Sequence, residues 1–259
     1  MRNVFDKIAD VFADTAKRKV EAAKARTAHS SDTAVPSKDV FTDACRQISE
    51  AFIGNGYKYA KSGPHFTKSC ASFNYRVSFQ SSHNNIPGKH VALWMHANVR
   101  SPRLKKWRAE QLKPYRNDGW VAGGMVHLLN RRHAMIEWEL ANDETRSAVV
   151  EDAIQFIRTE VFPYFHRFSD PSAVISELCL KEIKEINAFG LASSVEFALC
   201  FGSHEEAQRI LNRFISQRQD LRDQIEIASQ TFRKEGFPAY FPFANAEQVA
   251  WVKTAYHLE

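Results

Sequence analysis

The residues best suited to acid–base or metal chemistry lie around the second of two hairpins that the sequence predicts. They are His127, His133, Glu137 and Glu139. The two-residue spacing of Glu137 and Glu139 places both carboxylates on one face of a strand. With His133 or Arg132, such a pair could act as general acid and base or hold the metal of a hydrolase or nuclease. A solvated sheet face explains the same residues, so this chemistry is an alternative hypothesis.

Two further histidines do not make a metal site by their spacing. His90 and His96 share one face of a predicted strand but lie too far apart to ligate one ion directly. No carboxylate close to them in the sequence completes a ligand set. We therefore predict no metal ion and no cofactor.

The spacing of the cysteines predicts that they are buried, reduced thiols. They are widely spaced, and none forms the two-residue pair of a zinc knuckle or redox motif. The four are Cys45, Cys70, Cys179 and Cys200. This usage agrees with a reducing compartment.

Templates for nucleophilic catalysis and nucleotide binding are missing from the sequence. No serine lies in a Gly-x-Ser-x-Gly elbow, and no glycine-rich run ends in lysine and serine. Gly123 and Gly124 lie inside a predicted strand, where they permit a bulge or a close contact with another element. The sequence therefore favours a protein that is not an enzyme.

The strongest local charge signal is the segment from Arg100 to Arg116. It contains seven basic residues and one acidic residue, Glu110, with Trp107 and Tyr115 interleaved. Basic side chains beside an indole could bind phosphates and stack a base, as in a nucleic-acid-binding module. They could equally meet an acidic protein surface, or form a solvated segment that binds nothing.

Composition bounds the class of protein. The chain has 259 residues, of which 44% are hydrophobic and 25% charged, so it can bury a core and most of it is not intrinsically disordered. Its net charge of +5 argues only weakly for an anionic partner. Charged residues interrupt the first twelve positions, so we predict no signal peptide, and no later run could span a bilayer. A bacterial-type cytoplasmic location is expected.

The elements that would carry these residues begin with a long β-hairpin. Apolar residues alternate from Phe73 to Phe79 and again from Val91 to Val99, on either side of a turn-rich segment. Segments 119–129 and 134–140 predict two further strands. The fold class is therefore α+β, with a four-stranded, largely antiparallel sheet packed with helices. The alternate face of the second strand carries Trp94, which we expect to be covered.

Helices flank this sheet. The pattern predicts an amphipathic helix over 1–26, a linker over 27–38, an α+β domain over 39–168 and an all-helical subdomain over 169–257. The N-terminal helix could mediate homo-oligomerisation. Ser203 and Glu206 have capping-box spacing before a single long helix that ends near Phe232, and the small residues Ala198 and Gly202 suggest an isolated αα-hairpin.

Short motifs between Val40 and Phe165 resemble the bacterial domain-of-unknown-function 4304 family. They are Gly56-Tyr57-Lys58 after an amphipathic helix, then Phe66, then the strand ending Phe79-Gln80-Ser81-Ser82, with Gly119-Trp120 and Trp138 farther on. The resemblance implies a bacterial, cytosolic, non-enzymatic protein and transfers no catalytic residue. It also implies a role like that of immunity proteins, which neutralise a toxin by covering its active site.

Our leading hypothesis from the sequence is a binding protein that sequesters a protein partner, such as a toxin. Its contact residues would be the basic segment and one tryptophan of the sheet. They are Trp94, Arg103, Lys105, Lys106, Trp107, Arg108, Tyr115 and Arg116. Aromatic and arginine side chains would supply affinity, and the charges would steer the encounter.

Overall fold

A computed structural model describes residues 35–70, 72–129, 134–181, 190–239 and 245–259. The predicted N-terminal helix and most of the predicted linker lie outside the described residues. Within the described ranges, no helix has both the length and the apolar character needed to cross a membrane.

The described residues form an α+β fold, as predicted, with an antiparallel sheet packed with helices and a helical C-terminal part. The helices are α1 (Ser37–Glu50), α2 (Pro102–Ala109), α3 (Asp143–Phe156), α4 (Phe162–His166), α5 (Pro171–Leu180), α6 (Leu191–Phe201), α7 (His204–Gln217), α8 (Arg222–Glu235) and α9 (Asn245–Ala255). The strands are β1 (Lys58–Ala60), β2 (His65–Ser69), β3 (Asn74–Ser81), β4 (Ala92–Arg100), β5 (Trp120–Met125) and β6 (Trp138–Glu139).

The sheet has six strands in the described residues, so the prediction of four was wrong. Five of them follow the order β1-β2-β3-β4-β5, and β6 pairs with the start of β4. The sequence did not reveal β1 and β2 because they are only three and five residues long. Alternation over so few residues does not stand out from chance.

The predicted hairpin is the centre of the sheet and is confirmed as β3 and β4. Val77 pairs with Ala97, and Phe79 pairs with Met95. These side chains are buried in the hydrophobic core shared with the helices. Since side chains alternate along a strand, every second residue lies on the opposite face, which we call the open face.

Gly123, one of the two glycines in β5, occupies a position where a side chain would not fit. Its φ of 138° lies in the region that favours glycine, and an added Cβ would lie 2.3 Å from the carbonyl oxygen of Ala97. The glycine therefore allows a close approach of β5 to β4, which agrees with the predicted close contact.

Helix ends follow the capping residues of the sequence. The side chain of Asn142 accepts a hydrogen bond from the amide of Glu144 at the start of α3, and Ser203 with Glu206 forms a complete capping box on α7. The single long helix predicted after Ser203 is wrong. It divides into α7 and α8 at Arg218, whose backbone is not helical and whose side chain pairs with Asp220.

The predicted αα-hairpin is formed by α6 and α7, which pack against each other. Gly202 lies at their junction. A Cβ there would lie 2.4 Å from Oε2 of Glu206 and 2.9 Å from a methyl carbon of Ile175 on α5. The glycine therefore permits the tight junction of these helices.

The cysteines are all free, as predicted, but they are not all buried. Cys45 and Cys200 are buried and Cys179 is half-buried, whereas Cys70 is exposed. Cys70 follows the last residue of β2, where the chain leaves the sheet and the core no longer covers it.

Candidate functional site: the open face of the sheet

The open face gathers large polar and aromatic side chains from the three longest strands. Strand pairing places Arg76 beside Asn98, His96 between Ser78 and Met125, and Arg100 beside Trp120. Their side chains are half-buried or exposed, in contrast to the core-facing residues between them. Trp94 lies on this face opposite Gln80. The described residues leave the Trp94 side chain half-buried, and its full coverage stays a prediction.

One end of the open face is basic. Arg76 and Arg100 are close enough that burial, together with the charge of Arg100, lowers the pKa of Arg76. Asp118 lies between Arg100 and Arg116, with carboxylate distances of 3.6 Å and 3.0 Å respectively. The guanidinium of Arg116 also lies over the Trp120 ring, 4.9 Å from its centre. Arg100 and Arg116 thus share one carboxylate at this end.

The middle of the open face is close to neutral. His96 shares a hydrogen bond of 2.8 Å between its Nε2 and Oε1 of Gln80. Burial, and then the neighbouring His127, lower the pKa of His96. A lowered pKa keeps this imidazole uncharged at neutral pH.

The other end of the open face is acidic and is oriented by specific hydrogen bonds. The indole N–H of Trp94 donates to Oε2 of Glu137 at 2.8 Å. Oε1 of Glu139 accepts from the amides of Val91 and Ala141 at 2.7 and 2.8 Å, and its Oε2 contacts Nδ1 of His90. Burial opposes ionisation of Glu139, but these amides and the imidazole outweigh it, so its pKa is lowered.

His90, Glu137 and Glu139 bring one potential ligand atom each within 4.8 Å of one another. The prediction that no carboxylate accompanies His90 was therefore wrong, because β6 returns beside β4 and brings Glu139 and the preceding Glu137 close to it. Such a nitrogen and oxygen set could hold a divalent transition-metal ion with positions left for water. The two glutamates share one face, as their spacing predicts. His133, the third member of the predicted acid–base set, lies outside the described residues.

The basic segment from Arg100 to Arg116 is largely occupied by contacts within the protein. Its helical part, α2, begins at Pro102 after the N-cap Ser101. Arg103 donates to the carbonyl oxygen of Cys200 at 2.8 Å and lies over the ring of Phe201. Lys105 and Lys106 are exposed on the same helix.

Arg108 is the most deeply buried charged residue of this segment, with a relative exposure of 0%. Its Nε donates to Oε2 of Glu196 on α6 at 2.8 Å, and Nη1 donates to the carbonyl oxygens of Asp118 and Trp120. The guanidinium therefore has partners on three sides. It holds α2 against α6 and the start of β5, and its burial withholds it from any partner at the surface.

The two aromatic residues of the segment also face the C-terminal helices. The Trp107 ring packs on Tyr256, with centroids 5.5 Å apart, and Tyr115 meets the edge of Trp251. The amide of Tyr115 and the hydroxyl of Tyr256 both donate to Oε1 of Glu196, each at 2.6 Å. These contacts attach the last helix to the segment.

The predicted contact residues thus separate into three groups. Trp94 and Arg116 lie at opposite ends of the open face, Lys105 and Lys106 are exposed on α2, and the others pack against the C-terminal helices. The group at the packed junction is Arg103, Trp107, Arg108 and Tyr115. Sequence reasoning did not select Arg76 and Met125 as contact residues, since their only signal was their alternate position in a strand.

In comparisons with known proteins, the chain matches no family model, no curated protein and no solved structure.

Proposed function

We propose that this protein binds a protein partner through the open face of its sheet. The observation that supports the proposal is the set of side chains gathered there. Tryptophan, methionine and arginine are enriched at protein interfaces, whereas lysine is depleted. On β3, β4 and β5 the open face carries these enriched types and no lysine. The members are Arg76, Trp94, Arg100, Trp120 and Met125.

The charges of the open face would orient the partner. Arginines cluster at the Trp120 end and glutamates at the Trp94 end, so a partner with the opposite arrangement would be steered into one register. Trp94 and Trp120 are half-buried in the unbound protein, so their side chains would lose less conformational entropy when a partner binds. We expect these two side chains to be the main anchors.

The resemblance stated above adds a partner class to this proposal. If the protein acts as an immunity protein, the open face would cover a toxin. A nucleic-acid partner through the basic segment is less well supported. Arg103 and Arg108 are engaged within the protein, which reduces the number of basic side chains of the segment that could meet phosphates.

Charge reversal on each surface separates these hypotheses. Full-length protein immobilised on a resin would be incubated with lysate of the source cells, with and without nuclease and at low and high salt. The double variant Arg76→Glu with Arg100→Glu alters the open face. Lys105→Glu with Lys106→Glu changes the net charge equally on α2. Circular dichroism and thermal unfolding would confirm that both variants fold.

We expect one stoichiometric protein that survives nuclease treatment, is lost with the open-face variant and is retained with the α2 variant. Equal retention by both variants would reject the open face. A nuclease-sensitive, salt-sensitive capture that is lost only with the α2 variant would support nucleic-acid binding instead, because phosphate contacts weaken steeply with salt.

A further inference from the structure

A cleft of about 490 Å³ lies away from the open face, between the start of the sheet and helices α4 and α5. This volume is within the range of small-molecule sites. Six aromatic side chains line it. They are Tyr57, Phe73, Tyr75, Phe162, Phe165 and Phe168.

The aromatic walls are flat and fixed by packing. The rings of Tyr57 and Phe162 stack with centroids 5.2 Å apart and an angle of 3° between their planes. Tyr75 and Phe165 stack at 4.9 Å and 27°. Most of these rings are buried in the core, so little conformational entropy would be lost when a ligand enters. Such walls suit a planar, apolar ligand.

Lys68 breaks the apolar pattern of its strand beside this cleft. It follows the fully buried Phe66 by two residues, and it pairs directly with Tyr75, so it belongs to the face that packs on the helices. Its Nζ lies 5.6 Å from the centre of the Tyr57 ring. No described carboxylate forms an ion pair with it. A local violation of patterning of this kind is typical of a functional position.

The other polar groups of the cleft are neutral or can donate hydrogen bonds. Among the described residues that line it, none is acidic. Burial, and then proximity to Cys70, raise the pKa of Tyr75 to about 12, and the same causes raise the pKa of Tyr57 further. Both hydroxyls therefore stay protonated and available as donors. The described lining of the cleft thus offers the ammonium group of Lys68 and several hydrogen-bond donors, and it contains no carboxylate that would repel an anion.

We propose that this cleft binds a small planar carboxylate, with its ring system between the aromatic walls and its carboxylate at Lys68. The proposal does not depend on the open face. The proposed ligand needs both a planar ring system and a negative charge. A neutral planar molecule would contact only the aromatic walls, and a small inorganic anion would contact only Lys68.

The test uses 1-naphthoate as the probe and 1-naphthalenemethanol as its neutral counterpart, titrated into the isolated full-length protein by calorimetry. Lys68→Met keeps the apolar stem and removes the charge. Lys89→Met, in an exposed turn, removes the same charge elsewhere. We expect saturable naphthoate binding that weakens at least about tenfold with Lys68→Met and is unchanged with Lys89→Met. The affinity for the alcohol should not fall in either variant.

A second variant tests the walls without touching the lysine. Ser169→Trp, at an exposed position on the rim, would fill part of the cleft. It should weaken both probes, whereas a merely electrostatic attraction to Lys68 would leave naphthoate unaffected. The absence of saturable naphthoate binding to the natural sequence, or equal affinity of the natural and Lys68→Met proteins, would overturn the proposal.

Discussion

Arg108 and Glu196, 88 residues apart, form an ion pair in which both side chains have a relative exposure of 0%. Glu196 also accepts hydrogen bonds from the Tyr115 amide and the Tyr256 hydroxyl. A single carboxylate therefore connects α2, the loop before β5 and the end of the chain. The pair attaches the helical C-terminal part to the sheet.

Removal of one partner of this pair should destabilise the protein strongly. Glu196→Gln leaves a buried guanidinium without its nearest counter-charge, with only the Asp118 carboxylate 3.7 Å away, and we expect a loss of about 3–5 kcal/mol in the free energy of unfolding. The double variant Arg108→Met with Glu196→Leu removes both charges. Its free energy of unfolding should fall by less than that of Glu196→Gln alone. Urea unfolding of the natural protein, Arg108→Met, Glu196→Leu and the double variant completes the cycle and measures the coupling. Additive losses would show that the two side chains do not act as a pair.

The same pair shows where sequence reasoning stops. A basic segment with interleaved aromatics predicts a binding surface when its counter-charges are not visible. Here the nearest counter-charge of Arg108 is Glu196, on a helix far along the chain, and no local pattern indicates that contact. Lys105 and Lys106, on the same helix, are exposed, as contact residues must be.

Long strands were predictable, whereas the site they create was not. The alternation from Phe73 to Phe79 identified β3 because it extends over most of an eight-residue strand. The open face depends on which residues pair across strands, and β6 reaches β4 only after more than 35 residues of intervening chain. Register between distant strands is set by packing, so the juxtaposition of Glu139 with His90 was not visible in the sequence.

Acid should remove a contribution of Glu139 to stability. Its pKa is lowered in the folded protein, so its hydrogen bonds stabilise the fold above the unfolded-state pKa, whose reference value is 4.5, and are lost as pH falls through the lower folded value. We expect Glu139→Gln to lower the urea midpoint more at pH 7 than at pH 3. Glu235→Gln, at an exposed position, serves as the control. An equal effect of Glu139→Gln at both pH values would contradict this.

Gly123 should not tolerate a side chain. Gly123→Ala combines a positive φ with a Cβ placed 2.3 Å from the Ala97 carbonyl oxygen. We expect the free energy of unfolding to fall by about 1–3 kcal/mol. Gly54→Ala is the matched control, because no atom lies within 4 Å of its Cβ. Thermal unfolding of both variants is the measurement. Equal melting temperatures would show that β5 can move away from β4 without cost.

The cysteines should react with thiol reagents in order of their exposure. Cys70 is exposed, whereas burial raises the pKa of the Cys45 thiol and leaves it both protonated and covered. We expect iodoacetamide at pH 8 to modify Cys70 first in the native protein, with Cys45 protected until the protein unfolds. Mass spectrometry of tryptic peptides over time gives both rates, and a Cys70→Ser variant identifies the fast phase. Modification of Cys45 at the rate of Cys70 would mean that the contact between α1 and the sheet opens readily in solution.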